Sequence, residues 1–393
     1  MKIVSKKRMP LSGIKILDLT RYLPFSYGSM LLGDMGAEVI KIEEPSKGDY
    51  QRLMYPLKKK EGYVFLSTNR NKKSITLNLK KDEGKKVFFR LAKSADVIFE
   101  SFRPGVVKKL GIDYETIKKI SPQLIYCSCT GYGQTGPYSQ RPGHDINYLG
   151  VSGILGVTGR ETGSPVIPGI PIADMTAGVF SALAISAVLV GQRNCEEGCY
   201  IDVSMTDCMV SYMHIYNDAL FGKSRRIDPS TGGSIRYNTF KTKDGKFITI
   251  GNLEDKFWFN FCDLIGREDL KKYGFETKKE HVYIMEELRN VFHTKTRQEW
   301  LTIMNGRDIC YGPVNETEEV LEDPQIKHRG MYSHVDHPVE GKIGQISFPI
   351  KFSKFPQIIK YPPPRLGEHT EEVLRETGYT TQEIKQLRVL SII

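Results

Sequence analysis

The first third of the chain alternates short strand-like runs with amphipathic runs, and this alternation restricts the fold more than any other feature. Residues 14–19, 38–43, 74–79, 96–100 and 123–129 read as strands, rich in Ile, Val and Leu. Between them, 27–35 and 81–95 carry apolar residues at helical spacing, and 114–120 reads as a shorter helix. Gly36 stands where a helix C-terminus commonly takes a left-handed residue. Strands separated by helices pair in parallel through crossover connections, with the helices covering the sheet. The expected fold is therefore α/β, a large Rossmann-like parallel-sheet domain.

Beyond this region the pattern changes. Residues 174–190 predict a long helix with Asp174 as a candidate cap. Residues 219–236 are rich in Gly, Ser, Arg and Asp and read as a connection. Residues 237–250 alternate around Asp244-Gly245, a hairpin signal. Helices are expected at 255–265, 281–293 and 296–305, a strand at 343–352, an extended segment at 361–365 and a last helix at 380–390. The organisation expected is a large domain of 1–220 together with 325–393, and a smaller α+β domain of 221–324. A chain of 393 residues exceeds one simple core, in keeping with two domains.

Composition excludes several classes of function. The formal charge is +10, but Lys and Arg are scattered and the longest cluster is Lys58-Lys59-Lys60, so no nucleic-acid partner is expected. The seven cysteines are odd in number, and Cys127 and Cys129 alternate inside a strand. The Cys195 and Cys199 pair lacks further ligands at zinc spacing. No metal site is expected, and reduced thiols point to the cytoplasm. The basic stretch 1–8 has no apolar run after it and does not read as a secretory signal. The apolar run 177–190 is shorter than the roughly 20 residues that span a bilayer, so a buried helix and no membrane are expected.

Local motifs are ambiguous when read singly. Gly131, Gly133 and Gly136 form a GxGxxG pattern, but a dinucleotide site needs a helix directly after it, and Pro137 follows. The segment reads as a glycine loop near a ligand, with Gly133 and Tyr138 as candidate contacts. The segment 69–73, with Arg70, Lys72 and Lys73, is either a solvated turn or a set of cations for phosphate. Arg103 follows the strand ending at Glu100, where a parallel sheet usually receives its ligand. His144 alone reads as a structural histidine, Asp174 as a helix cap, and Glu254 as surface filler or a cap.

Taken together, ordered stretches along nearly the whole chain resemble the class III CoA-transferase family, which includes the α-methylacyl-CoA racemases. They are 11–19, 31–43, 69–74, 102–105, 131–137 and 364–370. The resemblance implies a CoA-thioester enzyme built as an interlocked homodimer. CoA would be part of the substrate, with no tightly bound cofactor. Arg70, Lys72, Lys73 and Arg103 would hold the CoA phosphates. The family's central aspartate matches Asp174, which in transferases attacks the acyl carbonyl. In racemases it works with a histidine from a stretch matched here by 143–148, thirty residues earlier, and Glu254 resembles the glutamate completing that site. The first expectation is racemisation of a 2-methylacyl-CoA by proton transfer between His144 and Asp174. The alternative is CoA transfer between carboxylic acids through an anhydride at Asp174. One departure is the segment 22–26, read as a loop, which replaces a Pro-Gly-Pro type turn.

Overall fold

The computed structural model describes residues 9–159, 164–192, 197–222, 234–274 and 278–393. The basic stretch 1–8, Cys195 and most of the 219–236 connection lie outside the described residues. In chain order the elements up to residue 212 are β1 (Lys15–Leu19), α1 (Leu23–Asp34), β2 (Glu38–Glu43), α2 (Tyr63–Thr68), β3 (Lys72–Thr76), α3 (Asp82–Ala92), β4 (Val97–Glu100), α4 (Val106–Leu110), α5 (Tyr114–Lys118), β5 (Ile125–Thr130), α6 (Asp145–Ser152), α7 (Ile154–Val157), α8 (Ile172–Gly191), β6 (Tyr200–Ser204) and α9 (Met205–Tyr212).

The six strands form one parallel sheet in the order β3-β2-β1-β4-β5-β6. The α/β alternation thus yields the expected parallel sheet. Val97, Ile98 and Phe99 of β4 are all 0% exposed, as suits a central strand covered on both faces. α3 begins with Asp82 and Glu83 and ends with Arg90, which complements the helix dipole. It lays Val87, Phe88 and Leu91 into the core. Full burial of each such side chain contributes about 1.5–3 kcal/mol. The C-terminal helix Thr381–Val389 packs Ile384 and Leu387 into the same cluster, so the end of the chain completes the core of its beginning.

α8 is the long helix expected from 174, but it starts at Ile172 and runs 20 residues. Its N-cap is Pro171, so Asp174 lies inside the first turn rather than at the cap. By length and apolar composition α8 is the one candidate membrane span among the described residues. It packs on α1, α6, α9 and β5. The contact with α1 depends on two glycines. A Cβ on Gly178 would lie 2.3 Å from the Pro24 carbonyl oxygen, and one on Gly28 would lie 2.7 Å from the Gly178 carbonyl oxygen. Gly178→Val should therefore force the helices apart. We expect a melting temperature lower by roughly 5 °C in a thermal scan, from an overpacking cost of about 1–3 kcal/mol.

Three expectations need correction. The segment 23–26 is not a loop but the first turn of α1, with a proline at N1/N2, where its missing N–H costs nothing. Tyr22 before it has φ 68°. The strand expected at 343–352 is Gly341–Ile346, and its antiparallel partner Tyr332–His337 was not foreseen. The strand expected at 74–79 begins earlier, at Lys72.

The described residues group into two compact units: those within 1–152, 168–213 and 327–393 form the larger, and those within 153–167 and 214–326 form the smaller. The smaller unit contains an antiparallel sheet of Tyr237–Lys241, Phe247–Gly251 and Tyr311–Pro313. Gly245 takes φ 80° in its hairpin. Trp258, Phe261, Phe292 and Trp300 form its aromatic core.

Candidate active site

The sheet order reverses direction between β1 and β4, so the loops leaving their carboxyl ends diverge and open a crevice. A cavity of about 700 Å³ lies there. Tyr22, Leu23, Pro24 and Phe25 line it after β1, Ser101 to Pro104 after β4, and Thr130 to Tyr132 after β5. α6 and the segment before it add His144, Asn147 and Tyr148, and α8 adds Asp174. The expectation that Arg103 stands at a strand's carboxyl end agrees with this position.

The loop after β5 is shaped by close approach. A Cβ on Gly131 would sit 2.3 Å from the Tyr148 ring, so only glycine lets that ring lie under the loop. Tyr148 meets Tyr132 edge to face at 5.1 Å. No helix opens directly after Gly136, consistent with a loop rather than a dinucleotide turn. Gly133 is buried at φ 81°, facing Asp202 and Ser204 of β6, and Tyr138 packs on Tyr132 and carries Arg141 over its ring at 3.7 Å. Neither is among the residues that line the cavity; Tyr138 is exposed, and Arg141 beside it is one of the lining residues.

His144 is exposed and precedes α6. Its backbone N–H donates to Asn147 Oδ1 at 2.9 Å, and the Asn147 N–H returns a bond to its carbonyl. These bonds fix the backbone at the start of α6 and leave the imidazole at the cavity. Asp174 is two-thirds or more covered, and no cation bonds its carboxyl among the described residues. Burial, and then the nearby Asp145, push its carboxyl up to about 7. Burial and then Asp174 itself raise the Tyr148 phenol.

A second unusual carboxyl stands behind the wall. Glu100 is 1% exposed, at the end of β4. Burial pushes it up to about 7, against the Ser128 hydroxyl and the Phe102 N–H, which donates at 2.7 Å. It anchors the turn that carries Arg103. Sequence reasoning passed over Glu100, Arg141, Asp145 and Tyr148. The signal for the last two was their place within 143–148, beside His144.

The segment 69–73 behaves differently from expectation. Arg70 grips Asp34 with two nitrogens, at 3.0 and 2.7 Å. Lys72 is 0% exposed and bonds Asp18, the Ser26 carbonyl and Asn69. Lys73 pairs with Glu38, Glu372 and Glu376. None of the three lines the cavity. β3 carries Lys72 and Lys73, and the turn before it Arg70, into covered surroundings where a charge must be paired, and carboxylates pair them. Glu254 belongs to the smaller unit, exposed at the N-cap position of Asp255–Leu264 with no side-chain capping bond.

The sequence matches the profile of CoA-transferase family III over residues 11–370. The chain belongs to that family. Human succinyl-CoA:glutarate CoA-transferase is 38% identical to it, over 98% of this chain and 90% of that protein. Human α-methylacyl-CoA racemase is 32% identical, over 98% of each. A crystal structure of a CaiB/BaiF family protein from Brucella suis superposes with a TM-score of 0.82 at 31% identity, covering 94% of this chain and all of that one. This family III member is therefore an enzyme of CoA thioesters, and its cavity at the carboxyl ends of β1, β4 and β5 is the place to seek the chemistry.

Proposed function

We propose that this enzyme transfers CoA between carboxylic acids through an anhydride on Asp174. The observation that carries the reading is the Asp174 carboxyl, which lines the cavity and forms no ion pair among the described residues. An oxygen lone pair of the ionised carboxylate forms a bond to the acyl carbon. The C–S bond breaks and its electron pair leaves on sulfur, giving an enzyme-bound mixed anhydride and CoA thiolate. The thiolate then attacks the aspartyl carbonyl and releases the first acid. A second acid repeats the exchange in reverse and leaves as its CoA thioester. Arg103 and Arg141, cationic at the cavity, suit the phosphates of CoA.

The higher identity to a succinyl-CoA:glutarate transferase makes succinyl-CoA and glutarate the first pair to test. Racemisation is the second reading, supported by His144 and Asp174 lining one cavity. It ranks lower because the exposed His144 imidazole has no orienting hydrogen bond among the described residues. Val179, Leu183 and Val190 leave an apolar stripe of α8 exposed, consistent with self-association.

Purified enzyme supplied with succinyl-CoA and glutarate should yield glutaryl-CoA, and hydroxylamine should trap an aspartyl hydroxamate at Asp174. A parallel incubation with a chiral 2-methylacyl-CoA in heavy water should leave the α-hydrogen in place. Deuterium uptake with inversion, and no transfer to any acid, would replace this reading with the second.

A further inference from the structure

The Asp174 carboxyl has one charged neighbour that the scheme above leaves unused. Asp145 opens α6, and its Oδ1 accepts the backbone N–H of Asp174 at 3.1 Å. That N–H belongs to the first turn of α8, one of the groups that has no partner within its own helix. Asp145 therefore ties the start of α8 to the start of α6, and so ties Asp174 to the segment that carries His144. It also places a second carboxylate beside the first in a partly dry site, where like charges repel appreciably.

The other groups that line the cavity form no ion pair with Asp174 among the described residues. α6 presents Tyr148, the segment before it Arg141 and His144, the turn after β4 Arg103, and the loop after β5 Tyr132. α1 and α9 present Leu23, Phe25 and Met205, which carry no charge. Asp202 of β6 is turned to the Gln134 N–H. Arg103 and Arg141 are exposed and donate no hydrogen bond to either carboxylate among the described residues.

We propose that Asp145 is a positioning residue for Asp174, fixing its backbone and keeping its negative charge under repulsion until acylation removes that charge. The inference rests on Asp174 being the reacting group. In the first step the carboxylate becomes a neutral anhydride and the charge departs on the CoA sulfur. Repulsion between Asp145 and Asp174 is present before the step and absent after it, so it lowers the barrier by destabilising the ground state. The same repulsion makes the Asp174 oxygen more basic and a better nucleophile.

The test compares Asp145→Asn with the parent enzyme across pH 5–9, using succinyl-CoA and glutarate. The asparagine oxygen still accepts the Asp174 N–H, so only the charge is lost. The acid limb of the kcat/KM profile should move to lower pH by about one unit, and kcat at its plateau should fall roughly tenfold, with KM for acyl-CoA changing less than about twofold. Asp145→Ser, which retains an acceptor oxygen on a shorter arm, should shift the limb in the same direction if the asparagine variant does not fold. Profiles that superimpose on the parent in both variants would overturn the proposal. Asp174→Asn, run alongside, separates this outcome from failure of the underlying reading. An active Asp174→Asn would remove Asp174 itself, while an inactive one with unshifted Asp145 variants would remove only the role of Asp145.

Discussion

Asp174→Asn should lower kcat/KM for CoA transfer by at least about 10⁴-fold, the scale seen when a covalent nucleophile is removed. The amide keeps the shape of the carboxyl and cannot form the anhydride. The same substitution should raise stability at alkaline pH, and the sign follows from linkage. The folded carboxyl sits at about 7, above its ordinary value near 3.8, because burial and Asp145 oppose its ionisation. A raised folded value means that the acid's favourable contribution is complete below pH 4 and is lost as pH climbs through 7. Above pH 7 the parent therefore carries a strained carboxylate that the variant lacks. The variant should melt about 2–4 °C higher than the parent at pH 8, with the gap closing near pH 4. A stabilised but inactive variant is the pattern expected where function holds an unfavourable group in place. A variant that turned over at the parental rate would remove Asp174 from the chemistry.

Lys72→Met should cost about 3–5 kcal/mol of stability, because it strands a buried charge. Asp18 and Lys72 are both 0% exposed, with 3.3 Å between the ammonium and the carboxylate. Lys41 and Asp49 form a second pair beside them at 2.8 Å, also fully buried. Burial by itself would raise Asp18, and Lys72 and then Lys41 hold it below the usual carboxylate range. With Lys72 gone, Asp18 keeps the Ser29 hydroxyl at 2.6 Å and the Thr20 N–H at 2.9 Å, but loses its nearest cation. A drop of roughly 10 °C in melting temperature is expected. The double variant Asp18→Asn with Lys72→Met should recover much of that loss, since both charges then vanish together. If Lys72→Met melted within a degree or two of the parent, the pair would be structurally idle. The same lysine bonds the Ser26 carbonyl in the first turn of α1, so the single variant should also loosen the cavity wall at Leu23 to Phe25.

The relation between sequence and site differs from residue to residue. Arg103 was readable because it follows a strand, and strand ends are where a parallel sheet meets its ligand. Arg70, Lys72 and Lys73 looked equally suited to phosphate, since composition shows a cation but not its partner. The partners are remote: Asp34 lies 36 positions from Arg70, and Glu376 lies 303 from Lys73. Gly133 and Tyr138 read as ligand contacts from their loop, but Gly133 faces β6, and the exposed Tyr138 packs on Tyr132 and Arg141 outside the residues that line the cavity. Asp145 and Glu100 were missed for a related reason. Glu100 stands out by its burial and Asp145 by its bond to the Asp174 N–H 29 positions away, and both depend on what packs around a side chain in space.

What the sequence determined by itself was the layering. Hydrophobic periodicity is local, so each strand and helix of the larger unit carries its own instruction, and the order of those instructions requires a parallel sheet. It also offered Asp174 and His144 as candidates, because both stand in short contiguous stretches, and both line one cavity. The tertiary structure alone decided which charges are spent and which are free. Compensation of a buried charge depends on distance in space, and the chain brings together carboxylates and cations that no local window contains.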